Sequence, residues 1–162
     1  MKYILSFVTI LLVTGCAGYE GRGLVPGQSS ASEVEALMGP AADERKAADG
    51  ETVRFYPRLP YGRVTYAARI GSDGKLIAIE QRLTEEYVAR LRPGSSRADD
   101  VRDVLGPPYR VDEFPRLERQ VWTYPAMGLT IEKLLIVQLS RDGVLREIFM
   151  TDDPQAMSKS YE

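Results

Sequence analysis

The sequence predicts an α+β fold of two tandem modules, each a short helix packed on a three-stranded antiparallel β-meander. The first observation behind this prediction is an internal repeat, because residues 24–40 return as residues 91–107 without a gap. Leu, Pro, Gly, Ser, Ala, Val, Gly and Pro coincide between the two stretches. The second observation is that strand-like residues 53–57 return as residues 121–125. A duplication of this kind determines how the rest of the chain is divided.

Each copy of the repeat has the features of a complete helix. Ser29 or Ser30 can cap the first copy, where Ser30 with Glu33 fits a capping box, and Ser96 is the candidate cap in the second copy. Gly39 and Gly106 suit the left-handed position that ends a helix, and the prolines behind them prevent continuation. An apolar stripe at helical spacing predicts that one face of each helix is packed. The stripes comprise Ala31, Val34, Leu37 and Met38 in the first copy and Ala98, Val101, Val104 and Leu105 in the second.

The start of the chain has the pattern of an export signal. Lys2 precedes an apolar run over residues 3–13, and small residues precede Cys16. As a helix this run spans roughly 16 Å, against ~30 Å for a bilayer core, which favours a cleaved signal peptide over residues 1–15. Residues 13–16 resemble the lipobox of bacterial lipoproteins, and the alternative is an ordinary signal with a chance cysteine.

The lipobox resemblance implies lipidation of Cys16, with diacylglycerol on its sulfur and an acyl chain on its amine. Several acyl chains on one residue exceed what stable membrane attachment requires. Residue 17 is alanine rather than aspartate, which resembles lipoproteins sorted to the outer membrane. Since Cys16 is the single cysteine, an intramolecular disulfide is excluded and a hydrophobic core has to hold the fold.

Alternating apolar residues and glycine turns predict three strands in each module. They cover residues 51–57, 63–70 and 75–83 in the first, and residues 119–124, 131–140 and 144–150 in the second. Residues 41–50 are charged and alanine-rich, which indicates a solvent-facing loop. The predicted division is a tether at 16–23, a first module at 24–83, a linker at 84–90, a second module at 91–151 and a flexible tail at 152–162.

The repeat resembles the BamE (SmpA/OmlA) family of outer-membrane lipoproteins. The shared pattern is L-x-x-G-x-S/T-x(4)-V-x(3)-hydrophobic-G-x-P, followed by an aromatic-Tyr strand and a glycine hairpin. The second copy matches at Leu91, Gly94, Ser96, Val101, Leu105, Gly106, Pro108, Trp122 and Tyr124, and the first, less completely, at Leu24, Gly27, Ser29, Val34, Met38, Gly39 and Tyr56. The resemblance implies a place on the inner face of the outer membrane, assisting the β-barrel assembly machinery.

The tandem arrangement departs from the single module of that family. Two such modules in one chain are similar to the secreted β-lactamase inhibitor proteins, which grip a partner with a concave sheet. This second resemblance implies the alternative function, an inhibitor-like or sensor module that binds a soluble periplasmic protein.

Composition argues against catalysis. The chain has no histidine, which removes Ser-His and Cys-His catalysis and the commonest metal ligand. Residues 72–75 match S-x-x-K, but in a predicted turn rather than at a helix start. The pairs Glu85-Glu86, Asp99-Asp100 and Asp152-Asp153 are interpreted as solvated surface. Since the net charge is −2, we expect no nucleic acid partner. From the missing catalytic and ligand motifs we also expect no enzyme activity, cofactor, metal or small-molecule substrate.

Two prolyl loops, at residues 57–62 and 125–130, are predicted to form the binding edge. The candidate partner-binding residues lie in or beside them and are Tyr61, Met127, Tyr56, Trp122 and Tyr124. Aromatic side chains with a polar tip are typical anchors of interfaces. The alternative is that Tyr56, Trp122 and Tyr124 fill the core. The expected function is a lipid-anchored, periplasm-facing scaffold that binds envelope proteins during outer-membrane protein assembly or envelope maintenance.

Overall fold

The structure, a computed structural model, describes residues 20–47, 49–128 and 131–158, without the side chains of residues 157 and 158. Its elements in chain order are α1 (Ala31–Met38), β1 (Asp43–Lys46), β2 (Thr52–Pro57), β3 (Thr65–Ile70), β4 (Leu76–Gln81), α2 (Glu85–Val88), α3 (Ala98–Leu105), β5 (Arg110–Phe114), a 3-10 turn (Pro115–Leu117), β6 (Arg119–Met127), β7 (Glu132–Ser140), β8 (Leu145–Asp152) and α4 (Pro154–Ser158). Strands β1 to β4 form one antiparallel sheet in that order, called sheet 1, and β5 to β8 form sheet 2. In this described part, no helix has the length and apolar character needed to cross a bilayer.

The predicted α+β class with three-stranded meanders is wrong, because the chain is mostly β and each sheet has a fourth strand. Strand β1 pairs with β2, and β5 pairs with β6. Strand β1 lies inside the segment predicted as a loop, and its residues, Asp-Glu-Arg-Lys, lack the apolar alternation that reveals a strand. Ladder hydrogen bonds and a cross-strand ion pair between Glu44 and Arg54, at 2.9 Å, hold it instead. Edge strands of this charged kind resist pairing with other chains.

Helices α1 and α3 occupy the predicted positions, but they are capped differently. The Ser30–Glu33 capping box is present at α1. At α3 the predicted cap is wrong, because Ser96 accepts a hydrogen bond from the N–H of Arg92 at 3.0 Å. The N–H of Arg97 instead donates to the Asp100 carboxylate at 2.7 Å. The reaching-back carboxylate therefore replaces the serine cap.

Both helices end at a glycine with positive φ, as predicted. Gly39 has φ 85° and ψ −174°, and Gly106 has φ 81° and ψ −169°. The extended ψ differs from the predicted left-handed helical value, and it places both residues in a region that only glycine adopts readily. The sharp exit directs the chain from each helix towards the first strand of its sheet.

Helix α3 lies between the two sheets. Its Val101 and Leu105 belong to the core of sheet 2, together with Leu135 and Val137. On its other side, Gly106 lies so close to sheet 1 that an added Cβ would stand 2.6 Å from the Phe55 ring. Arg45 of β1 also pairs with Asp103 of α3 at 2.6 Å and with Asp99 at 3.1 Å.

The opposite face of sheet 1 is covered by α1. Val34 and Met38 of the helix pack on Tyr56, Ala68 and Leu76 in one buried cluster. Sheet 1 is thus covered on both faces, whereas the face of sheet 2 that points away from α3 has a more open environment. This open face positions the candidate site.

Candidate binding cleft

The loop between β2 and β3 holds one tyrosine far out in solvent. The loop is closed by hydrogen bonds from the N–H of Arg58 to the Val64 carbonyl at 2.9 Å and from the N–H of Gly62 to the Arg58 carbonyl at 2.6 Å. A Cβ at Gly62 would stand 2.5 Å from that same carbonyl oxygen, so glycine is required there. Tyr61 at the tip is 94% exposed. A tyrosine presented in this way is available to a partner.

A buried arginine fastens this loop to sheet 2. Arg63 is 8% exposed and donates from Nη1 to the Lys133 carbonyl at 3.0 Å. Its Nη2 lies 2.5 Å from the Asp153 carboxylate and 2.6 Å from Glu132. Arg63 has φ 52°, which costs a non-glycine residue about 1–2 kcal/mol. These charge-assisted hydrogen bonds, the strong class in proteins, offset that cost and fix the loop.

The Asp153 carboxyl stays ionised in this ion pair although it is 5% exposed. Burial by itself would raise the pKa of the Asp153 carboxyl. Hydrogen bonds from Arg63 and from the N–H groups of Gln155 and Ala156 outweigh burial and hold this pKa below its usual value. The Asp153 carboxyl is therefore ionised at neutral pH beside the Arg63 guanidinium, and losing either partner would leave an uncompensated charge.

Beside the loop lies a cleft of about 690 Å³. Its floor consists of Thr123 and Pro125 from β6 and Leu134 from β7. Tyr61 and Tyr109, which is 51% exposed, stand at its rim. The lining continues through Pro60, Arg63, Arg110, Glu132, Asp153, Pro154, Gln155 and Ala156. An apolar floor with aromatic and charged residues around it matches the composition of protein-binding sites.

The cleft opens onto the open face of sheet 2. Cross-strand neighbours on this face are Thr123 with Ile136, and Ile136 with Phe149. Phe149 is 44% exposed and Ile136 is partly buried. Met127 lies on the same face, one pair beyond Pro125, and is 57% exposed. The apolar surface therefore extends from the cleft floor across the strands.

The prediction of a second prolyl loop at residues 125–130 is partly wrong, because β6 continues through Pro125 to Met127. The N–H of Tyr109 donates to the Thr123 carbonyl at 3.1 Å, so the backbone of Thr123 faces the β5 side. Pro125, two residues on, faces the same side beyond the start of β5 at Arg110. The missing N–H of proline consequently removes no ladder hydrogen bond, and the strand runs on.

The predicted partner-binding residues fall into an exposed group and a buried group. Tyr61 and Met127 are exposed, whereas Tyr56, Trp122 and Tyr124 are 2%, 4% and 0% exposed and lie in the core. The Tyr124 hydroxyl donates to the Gly106 carbonyl at 3.1 Å, and burial raises the pKa of Tyr124. Of the five predicted partner-binding residues, Tyr61 and Met127 are the two that are accessible to a partner.

A second cleft, of about 380 Å³, lies where α2 and α3 meet sheet 1. The guanidinium groups of Arg82 and Arg90 lie over the Tyr87 ring there, at 4.5 and 4.0 Å from its centroid. Burial lowers the pKa of Arg82, and Glu80 lies 2.9 Å from it. Since carboxylates accompany these arginines, we interpret this cleft as a polar junction that joins the predicted linker to sheet 1.

Other predicted features are placed as follows. Cys16 and the predicted signal peptide lie outside the described residues. Residues 72–75 form the β3–β4 turn, in line with the prediction that S-x-x-K opens no helix here. Asp153 is buried, so its interpretation as solvated surface is wrong. Within the described residues, no three His, Cys, Asp or Glu side chains are grouped as a metal site would need.

Sequence reasoning missed Arg63, Asp153 and Tyr109. The Arg63–Asp153 pair joins residues 90 positions apart, and neither residue stands in a periodic pattern. The available signal was the arginine directly after the Tyr61-Gly62 turn, since a charged residue that follows a tight loop can fasten it to a neighbouring element.

Comparisons with known proteins give one distant structural neighbour. No protein-family model matches the chain, and no curated protein matches it. Among solved structures, the chain is similar to a DUF4309 family protein (YjgB) from Bacillus subtilis, with 16% sequence identity and a TM-score of 0.33. The similarity covers 82% of this chain and 84% of that one. This distant likeness assigns no family, so the BamE resemblance rests on the sequence motif.

Proposed function

We propose that the protein is an outer-membrane lipoprotein, anchored through Cys16 on the periplasmic side, that binds another envelope protein and catalyses no reaction. The observation that carries the binding role is the exposed Tyr61 at the rim of an apolar-floored cleft. The lipobox-like residues 13–16 support the anchor. The BamE-like repeat supports a role in outer-membrane protein assembly or envelope maintenance.

The rigidity of the loop favours binding over a merely solvent-exposed turn. Association costs about 0.5–1.5 kcal/mol for each flexible side chain that becomes ordered. The Arg63 ion pair fixes the base of the loop before any partner arrives, so less ordering remains to be done. Tyrosine is enriched among the interface residues whose truncation to alanine costs about 2 kcal/mol or more of binding free energy. Tyr61 therefore has both the exposure and the support that an anchor residue needs.

The cleft also offers polar groups around its apolar floor. Arg110 and Glu132 lie at its margin, and both are exposed. Interfaces of this type combine an apolar centre with a charged rim that selects the partner. A folded protein segment with an apolar side chain and flanking charges fits this arrangement better than a small apolar ligand.

The test is capture of partners by the double variant Tyr61→Ala, Met127→Ala. Both side chains are exposed, so we expect the free energy of unfolding to stay within ~0.5–1 kcal/mol of the unchanged chain. Partner yield from detergent-solubilised membranes should fall about tenfold or more, the loss that 1.4 kcal/mol produces. Leu117→Ala is the matched control, because Leu117 is 67% exposed and precedes the start of β6 at Arg119, which is about 26 Å along the strand from Met127.

The partner recovered distinguishes the proposed role from its alternative. Recovery of the barrel-assembly complex from membranes, reduced by the double variant alone, supports the assembly role. Recovery of one soluble protein from a periplasmic extract supports the inhibitor-like or sensor module. Undiminished capture by the double variant would show that the cleft is not the binding site.

A further inference from the structure

Strand β8 is the least protected of the sheet edges in the described residues. Strands β1 and β5 are short; all four residues of β1 are charged, and charged residues separate the apolar ones of β5. Strand β4 has only six residues, and the outward groups of its first residue, Leu76, are paired with Gly27 and Ser29 at 2.7 and 2.8 Å. Strand β8 has eight residues and contains the consecutive apolar residues 148–150, with Phe149 44% and Met150 38% exposed. A long edge with exposed apolar residues is a template for pairing with another strand.

The hydrogen-bond pattern shows which backbone groups of β8 have no partner among the described residues. The N–H of Asp153 donates to the Glu132 carbonyl of β7 at 3.1 Å. Because antiparallel ladders alternate, residues 147, 149 and 151 also face β7, whereas Ile148, Met150 and Asp152 direct their N–H and C=O outward. At the start of β8, the outward groups of Leu145 are already paired with Gly94 and Ser96, at 2.7 and 2.8 Å.

We propose that β8 pairs antiparallel with β8 of a second copy of this chain, about a two-fold axis at Phe149. In this register Ile148 stands opposite Met150 of the second copy, and both have outward backbone groups to exchange. Phe149 stands opposite its own counterpart, and Glu147 stands opposite Thr151. The two sheets then join into one, and the pairing is self-complementary as a two-fold interface must be.

Charge favours the same register. Arg146 stands opposite Asp152 of the second copy, and the two-fold axis repeats this opposite-charge pair. A shift of the pairing by one residue would oppose outward backbone groups to inward ones. A shift by two residues would place Glu147 opposite Phe149, or Ile148 opposite Asp152, and would separate Arg146 from Asp152 of the second copy. The free edge, the apolar centre and the flanking charges therefore select one register.

A cysteine at the two-fold axis tests this pairing directly. In the non-hydrogen-bonded pair at Phe149 the two Cα atoms lie ~4.5 Å apart, within the range that a disulfide spans. The full-length chain carrying Phe149→Cys should therefore oxidise to a disulfide-linked dimer in isolated membranes. Ile148→Cys is the matched control, because its symmetry mate lies about 8 Å away, beyond disulfide reach.

The outcomes are read on a non-reducing gel, with the unchanged chain showing any crosslink through Cys16. The proposal predicts a dimer that is at least tenfold more abundant for Phe149→Cys than for Ile148→Cys. A monomer for Phe149→Cys overturns it. So does a crosslink to a different protein, since the occupant is then not a second copy. Equal dimer from both variants overturns the register and with it the argument from complementarity.

Mass measurement in detergent gives a second test that needs no cysteine. Phe149→Asp places two carboxylates opposite each other at the axis and should convert the dimer to monomer, raising the dissociation constant at least tenfold. Phe114→Asp, at a phenylalanine 45% exposed on β5, should leave the dimer intact. An unchanged chain that is monomeric at every concentration, or equal effects of the two variants, would contradict the proposed interface.

Discussion

Replacing Gly106 with alanine should destabilise the protein more than replacing Gly39, its counterpart in the first repeat. The two glycines have nearly the same backbone angles. This combination of positive φ and extended ψ costs a residue with a side chain about 1–3 kcal/mol of conformational free energy. The backbone contribution to the loss is therefore expected to be equal in the two variants, and the comparison isolates what the new methyl group meets.

Their surroundings differ. A Cβ at Gly106 would stand 2.6 Å from the Phe55 ring and 3.2 Å from the Thr65 methyl group, whereas a Cβ at Gly39 meets nothing within 4 Å. Overpacking of a fixed core site costs about 1–3 kcal/mol. We therefore expect a loss of about 1–3 kcal/mol for Gly39→Ala and of about 2–6 kcal/mol for Gly106→Ala.

Urea unfolding of both variants measures these losses, provided that the slope of the unfolding free energy against urea concentration is the same in both. Phe55→Leu in the Gly106→Ala background should restore part of the stability, since contacting residues couple by about 0.5–3 kcal/mol. Equal losses for the two glycine variants, together with no coupling to Phe55→Leu, would mean that α3 does not pack against sheet 1.

Three further predictions concern the anchor, the buried ion pair and the core. Cys16→Ser should leave an unprocessed precursor without labelled fatty acid, and normal labelling would end the lipoprotein proposal. The folded-state pKa of Asp153 lies below the ~3.9 of an unfolded aspartate. The ionised carboxylate therefore stabilises the folded protein above pH ~4, and this stabilisation is lost as the pH falls through the folded pKa. In urea titrations at several pH values, Asp153→Asn should reduce this loss of stability on the acid side. Tyr124→Phe should cost about 0.5–1.5 kcal/mol through its lost hydrogen bond to Gly106, while Tyr109→Phe at the exposed rim should cost almost nothing in the same assay.

The duplication made much of the chain predictable. Apolar periodicity indicates α1, α3 and six of the eight strands that the described residues form, because these elements bury one face and the sequence shows the spacing of that face. Strands β1 and β5 escaped prediction because burial does not hold them. Ladder hydrogen bonds hold them instead, together with the Glu44–Arg54 ion pair for β1 and the hydrogen bond from Gln120 to Glu113 for β5. Two missed edge strands were enough to make the predicted fold class wrong.

The candidate site was predictable only in part. Tyr61 stands in a loop defined by prolines and glycine, which local sequence reveals. Trp122 and Tyr124 share the inward face of β6, and only the sheet register shows that they are covered. The Arg63–Asp153 ion pair depends on the folding of distant segments onto each other, and the adjacent pair Asp152-Asp153 gives no sign that one carboxylate is exposed and the other buried.

The most direct test of the binding role is what Tyr61 touches in the intact envelope. A photo-crosslinking amino acid at position 61, in the lipidated full-length chain, is compared with the same amino acid at position 117, where Leu117 is also exposed. We predict a discrete crosslinked envelope protein from position 61 that is absent from position 117 and is lost when Arg63→Ala frees the loop. The same products from both positions, or none from position 61, would contradict the proposal that this cleft binds a partner.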